Sequence, residues 1–322
     1  MIAFLLRRLA ATVLILFAIS ALTFLIFFAT PGADPAARIA GRNADPATLA
    51  QVSASFGLDR PLPVRYALMM KHLFVDGDLT SYVNRGQLVL PQIVAAVPVT
   101  LSLVVGGAVL WMVIGIAFGT LAARGRGRVL DPVLSVLGLI GISIPVYWLG
   151  EVVNLLTQSR LHDSLFRWVP PLGYVPLTQD PGQWALHLLF PWLTLAVLYA
   201  GIYARVLRAE LLTALSEDYV RTARAKGVSE RRILLRHALR CSLIPIVSLF
   251  GLDFGALVGG SALLTEVVFD LPGLGRLTFS ALQSTDLPVI ISAVVYAAFF
   301  VVVANAAVDL LYARLDPRVR HA

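Results

Sequence analysis

The sequence predicts an all-α membrane protein with six transmembrane helices and both termini in the cytoplasm. Three observations carry this: a mean hydropathy of +0.81 with only 14% charged residues, six apolar runs long enough to cross a bilayer, and an uneven sharing of Lys and Arg among the segments between them. Soluble domains carry nearer a quarter charged residues. A chain that is 58% hydrophobic therefore needs lipid as its solvent.

A helix needs about 20 apolar residues to cross the hydrocarbon, and the runs at 9–29, 98–123, 131–157, 186–208, 242–265 and 288–312 meet that length. The first follows Arg7 and Arg8. It is longer than a signal-peptide core and no clear A-x-A site follows it, so it reads as a retained anchor. The net charge of +7 admits nucleic acid as a partner, but the placement of the charges accounts for it better. The N-terminus, the 124–130 loop, the 205–240 region and the tail hold 17 of the 26 basic residues. Basic loops stay in the cytoplasm, which sets the orientation; anionic lipid headgroups are their natural neighbours.

Outside the membrane lie a long connection, 30–97, and a shorter one, 158–185. The first carries an amphipathic piece, PLPVRYALMMKHLF, and reads as a small cap of short helices. The second contains WVPPLGYVPLTQDPGQW, where Pro and Gly oppose regular helix. After the fifth run, TEVVFDLPGLGRL reads as a turn around Pro272, Gly273 and Gly275. The chain thus divides into an N-terminal span with its cap (1–97), a core of spans (98–312) and a tail (313–322).

The stretch EDYVRTARAKGVSERRILLRHALR, residues 217–240, is the anomaly, with seven basic and three acidic residues between the fourth and fifth spans. Up to Lys226 it suits a helix with Tyr219, Ala223 and Lys226 on one side, and Gly227 can end that helix in a left-handed conformation. Ser229 is placed to cap a second helix on which Leu235, Ala238, Leu239 and Ser242 recur. One reading is a solvated basic loop that only fixes topology. The other is an elbow of two short helices, with small residues at the bend that leave room for a cytoplasmic partner.

The segment YVRTARAKG followed by LLRHALRCSLIP resembles the coupling motif in the permease subunits of bacterial ABC importers, in the dipeptide, oligopeptide and nickel branch. Further resemblance lies in LLRRLAATVLILFAISALTFLIFFATPGADP, SIPVYWLG, GLDFGALVGGSALLTEVVFDLPGLGRL and DLLYARLDPRVR, in the same order along essentially the whole chain. The general importer motif has Glu-Ala-Ala, three residues, then Gly; here those positions hold Arg221, Thr222, Ala223 and Gly227, and a later proline falls at Arg240. The variant is the one expected in the peptide branch.

The resemblance implies a type I importer permease fold in the inner membrane. It also implies a second homologous permease, two ATPase subunits docked on Glu217, Tyr219, Ala223, Arg224, Ala225, Lys226 and Gly227, and an external substrate-binding protein. It further implies peptides as the substrate class, and that the loop around Asp270 faces the binding protein or the pore mouth.

Other residues invite function. Gly251, Gly255 and Gly259 form a small-residue stripe on the fifth span, as Gly115 and Gly119 do on the second; they serve packing within the subunit or contact with a second permease. Asp253 and Glu151 are acids inside spans, where an unpartnered charge is costly; each lines a hydrated pathway or is a hydrogen-bonded structural acid. Asp309 shares a face with Asn305 and anchors the end of its span. Pro145 and Pro191 lie inside spans and invite kinks, whereas Pro98 and Pro288 stand at span starts.

The chain has no G-x-x-x-x-G-K-[ST] loop to cradle nucleotide phosphates, no H-E-x-x-H and no G-x-S-x-G. No catalytic residue, metal site or cofactor is expected, and ATP hydrolysis is assigned to partner chains. Lone Cys241 excludes an intrachain disulfide. The competing class is a self-sufficient secondary transporter or channel, which calls for paired acids and broken helices in two matching halves. A scaffold that transports nothing is a third.

Overall fold

The computed structural model describes residues 2–28, 36, 46–55, 57–84, 86–159 and 162–315. Much of the expected cap between 29 and 45, the tail from 316 onward, and the side chain of Asp309 lie outside the described residues. In chain order the helices are α1 (Ile2–Phe28), α2 (Pro46–Ser55), α3 (Leu62–Lys71), α4 (Val89–Arg124), α5 (Leu130–Ser143) and α6 (Val146–Thr157). They continue as α7 (Pro181–Ser216), α8 (Asp218–Ala225), α9 (Glu230–Ser261), α10 (Leu263–Val268), α11 (Leu274–Ser284) and α12 (Leu287–Leu315).

Among the described residues, α4, α7, α9 and α12 are long and apolar enough to cross a bilayer, and the bent pair α5 and α6 makes a fifth span if counted as one; Ala10–Ile26 of α1 is a shorter apolar helix. The protein is an all-α membrane protein. It forms two compact units, one of residues 1–98 and 273–302, the other of 99–272 and 303–322.

In the first unit, Tyr66 of α3 docks on α1. Its hydroxyl is 2.6 Å from Ser20 Oγ, and its ring meets Phe17 and Phe24 edge-on at 5.8 and 5.4 Å. Edge-to-face rings of this kind contribute about 1 kcal/mol beyond the area they bury. The segment 79–89 folds back on itself through Ser81 N to Gln87 O and Val89 N to Leu79 O. It is fastened by buried Asp286, whose carboxylate accepts from the Ser81 hydroxyl and from the Tyr82 N–H at 3.0 Å.

In the second unit α7 is the central element. Asp180 caps it by accepting from the N–H groups of Gly182 (2.8 Å) and Gln183 (3.0 Å), satisfying donors a helix start leaves open. Leu188, Leu195, Tyr203, Leu207 and Leu211 of α7 are buried. Glycines let neighbours touch its backbone: a methyl on Gly119 of α4 would lie 2.8 Å from Ala204 O, and one on Gly141 of α5 would lie 2.7 Å from Val197 O. The Gly115 and Gly119 pair therefore packs inside this subunit.

Three expectations are corrected. Pro98 is not at a helix start: α4 begins at Val89, because Val89, Ile93 and Ala96 share an apolar cluster with Leu274, Ala281 and Ile290, and that burial outweighs the one hydrogen bond a proline removes. Residues 131–157 are not one kinked helix. Ile144 (φ −87°, ψ 124°) and Pro145 (φ −61°, ψ 132°) are both extended, as the residue before a proline tends to be, and α5 and α6 meet at 94°. TEVVFDLPGLGRL is more than a turn, since α10 and α11 occupy both its ends and only Phe269–Gly273 connects them. Pro191 sits within α7 and Pro288 in the first turn of α12, as expected.

Candidate functional site

The elbow forms at the end of α7. Glu217 is extended (ψ 154°) and serves both as the last cap of α7 and the first of α8, so the two helices share a single joint. Val220 is the apolar peg of α8 and is fully buried; Ile233 and Ala238 of α9 are fully buried too, and Leu234 nearly so. Around this peg Glu217, Tyr219, Arg224, Ala225, Lys226 and Gly227 are exposed and Ala223 is half-buried. Six of the seven residues singled out from the sequence are thus exposed, around a helix that Val220 anchors.

Gly227 has φ +75°. The N–H of Gly227 bonds to Arg224 O at 2.9 Å and that of Val228 to Ala223 O at 3.1 Å, the two reverse bonds by which a left-handed glycine closes a helix. Nothing lies within 4 Å of where a Cβ would stand on Gly227. The bend is clamped by a fork: Arg224 donates through Nε to Glu230 Oε1 at 2.7 Å and through Nη2 to Oε2 at 3.2 Å. Hydrogen bonding to Arg224 holds the Glu230 carboxyl below its usual range and raises the guanidinium of Arg224 in turn. Burial and the neighbouring Cys241 raise the Tyr219 phenol, which therefore stays a neutral hydrogen-bonding group.

Beyond the bend, the expectation of a separate short helix is corrected. Glu230 opens a helix that runs on to Ser261, with a π turn at Ile233–Ala238. The wider turn shifts the buried face, so Leu235 is exposed while Ile233 and Leu234 turn inward. Ser229 occupies the cap position, but its side chain makes no capping bond.

Among the described residues, Asp253 and Glu151 are not brought together. Asp253 on α9 accepts from the Tyr203 hydroxyl at 2.9 Å, beside Trp111, whose ring lies against Tyr199, Tyr203 and Phe250. Glu151 is exposed on α6. Gly251 and Gly255 are buried, whereas Gly259 lies half-exposed in the π turn Leu257–Ser261, which ends in a break at Gly260 (φ 117°).

Sequence reasoning missed the polar pairs with the strongest geometry. Arg208 of α7 grips Asp131 of α5 with two bonds, 2.5 and 2.7 Å. Glu266 of α10 has no exposed surface and accepts from Thr100 Oγ1 at 2.6 Å. Asn154 of α6 donates to Val268 O at 2.8 Å, and Gly150 lies against Val268 and Phe269. The partners in the first two pairs are 77 and 166 residues apart, beyond any local pattern.

Long apolar helices joined to a charged elbow define a membrane-spanning protein. The family described as "Binding-protein-dependent transport system inner membrane component" matches residues 115–321, and its N-terminal counterpart matches 1–104. A probable peptide ABC transporter permease of Sinorhizobium fredii is 36% identical over 99% of both chains. A probable D,D-dipeptide transport system permease of Escherichia coli is 37% identical over 97% of this chain and 96% of its own. A glutathione transport system permease of Salmonella choleraesuis is 38% identical over 100% of both. A chain from inward-facing structures of the MetNI methionine ABC transporter shares the fold, with a TM-score of 0.56 and 20% identity over 70% of this chain and 97% of its own. This chain belongs to the family of binding-protein-dependent transport inner membrane components. It is a permease component of an ABC import system.

Proposed function

We propose that this permease forms half of the pathway by which an ATP-driven complex imports short peptides. The observation that carries the reading is the elbow, an exposed helix closed by a left-handed Gly227 and joined through the single residue Glu217 to α7. Relatives named for peptide, D,D-dipeptide and glutathione transport support peptides as the substrate class. The complex comprises a second homologous permease, two ATPase subunits and an extracytoplasmic binding protein. The chain crosses six times with both ends in the cytoplasm, a cap over residues 30–97 outside and a short tail inside.

Closure of the ATPase pair on ATP displaces α8 through Glu217, Tyr219, Ala223, Arg224, Ala225, Lys226 and Gly227. Because α8 and α7 share one joint, the displacement passes along α7. It carries α5 with it, since glycine contacts and the Asp131–Arg208 pair bind α5 to α7. The extended pair Ile144 and Pro145 takes up the motion against α6, which packs on α7 and is also hydrogen-bonded to α10. Such relative movement of helix groups is what alternating access requires. Asp253 and Glu151 are the acids assigned to the pathway, and Gly251, Gly255 and Gly259 to close helix contact.

The test is reconstitution of the native complex into liposomes with labelled peptides. ATP-dependent accumulation that needs both the binding protein and two nucleotide-binding chains supports this function, and accumulation by the permease alone removes it.

A further inference from the structure

The first unit contains a cavity of about 340 Å³ lined by Arg60, Arg65, Met69, His72, Asp78 and Tyr82 among others. Its volume lies in the range of small-ligand pockets, roughly 300–1,000 Å³. Three elements build it: the turn after α2, the inner face of α3, and the 78–82 segment that buried Asp286 fastens. Arg65 donates Nε to Arg60 O at 2.6 Å, which fixes its guanidinium and leaves the terminal N–H groups free to bind. Neither arginine pairs with a carboxylate among the described residues. Burial, opposed by nearby Arg65 and assisted by Asp286, pushes the Tyr82 phenol up to about 12, so Tyr82 is neutral at every physiological pH. His72 Nδ1 is 2.7 Å from Asp78 Oδ1, which orients that carboxylate. Asp76 belongs to the same cluster, but the Lys71 ammonium at 3.3 Å already supplies its cation.

The cavity therefore offers two guanidinium groups that meet no anion among the described residues, one oriented carboxylate and an apolar patch at Met69. Guanidinium is the preferred binder of carboxylate, and a carboxylate in the same cavity selects for an ammonium. We propose that this cavity holds a short zwitterionic peptide, its carboxylate on Arg60 and Arg65 and its ammonium on Asp78. The assignment rests on the peptide-import reading and adds a second holding point, in the cap, for the transported class.

The complex in lipid nanodiscs, without the external binding protein, is probed with radiolabelled dialanine. Saturable binding is expected, weakened at least tenfold when the C-terminus is amidated and also in Arg65→Ala. Asp78→Asn should weaken binding of free dialanine and leave N-acetyl-dialanine unchanged. The amidated peptide needs no altered protein, so misfolding of a variant cannot mimic the result. Absence of saturable binding, or binding that survives amidation and the Arg60→Ala/Arg65→Ala double change, overturns the proposal. So does a double variant that loses only capture of the binding protein. ATP-driven dialanine uptake without cavity binding removes this proposal and leaves the import reading standing; cavity binding without uptake supports the cavity and removes that reading.

Discussion

Asp131 and Arg208 form a two-bond ion pair between the first turn of α5 and the end of α7 that leads to the elbow, with side-chain exposures of 11% and 31%. Removing one partner leaves the other charge poorly solvated. Asp131→Asn or Arg208→Gln should cost about 2 kcal/mol, below the roughly 3–5 kcal/mol of a fully buried pair. The double change Asp131→Asn/Arg208→Gln should recover part of it. Thermal unfolding of the detergent-purified complex measures this, and costs that simply add in the double variant would mean that the two groups do not interact energetically.

Gly227 separates two effects. Its φ of +75° strains any side chain, at about 1 kcal/mol, yet the space around it is open. Gly227→Asn, which tolerates this conformation, should leave stability nearly unchanged. If the ATPase docks at this bend as proposed, Gly227→Trp should uncouple ATP hydrolysis from uptake by filling that open space. Wild-type coupling in the tryptophan variant would rule out docking at this bend.

The Arg224–Glu230 clamp gives a pH dependence with a definite sign. The Glu230 carboxyl is depressed in the folded protein. Its contribution is therefore fully present above the ordinary carboxyl value of about 4.5 and is lost as pH falls through the depressed one. Spin labels at Asp218 and Arg231 should report a constant elbow geometry from about pH 6 to 8. Loosening within that range would assign the clamp to another group.

Asp253→Asn keeps an acceptor for the Tyr203 hydroxyl and removes the charge. Uptake should fall while the complex assembles normally, as judged by co-purification of its partners. Unchanged transport would take Asp253 out of the pathway and leave it a structural partner of Tyr203.

Thr100→Val deletes a donor to a carboxylate that has no exposed surface. The expected cost is about 1–3 kcal/mol, read as a lower unfolding temperature, with Thr100→Ser close to wild type. A valine variant as stable as the parent would mean that Glu266 is satisfied by its other contacts.

Much of this protein is legible along the chain. Apolar runs announce the spans because lipid demands about 20 such residues in succession. The left-handed closure at Gly227 follows from backbone chemistry confined to a few neighbours, Pro145 marks a disturbance although the sequence suggests a kink where the chain breaks, and the small residues of α4 foreshadow close helix contact. Distance in sequence hides the rest. Nothing near Asp131 points to Arg208, nothing near Thr100 to Glu266, and nothing near Ser81 to Asp286, since each pair exists only after helices have packed. The π turn at Ile233–Ala238, which turns Leu235 outward, and the start of α4 at Val89 rather than Pro98 have the same origin. Local rules state what a segment prefers, and burial against distant partners is worth enough to move a boundary by two turns or rotate a face.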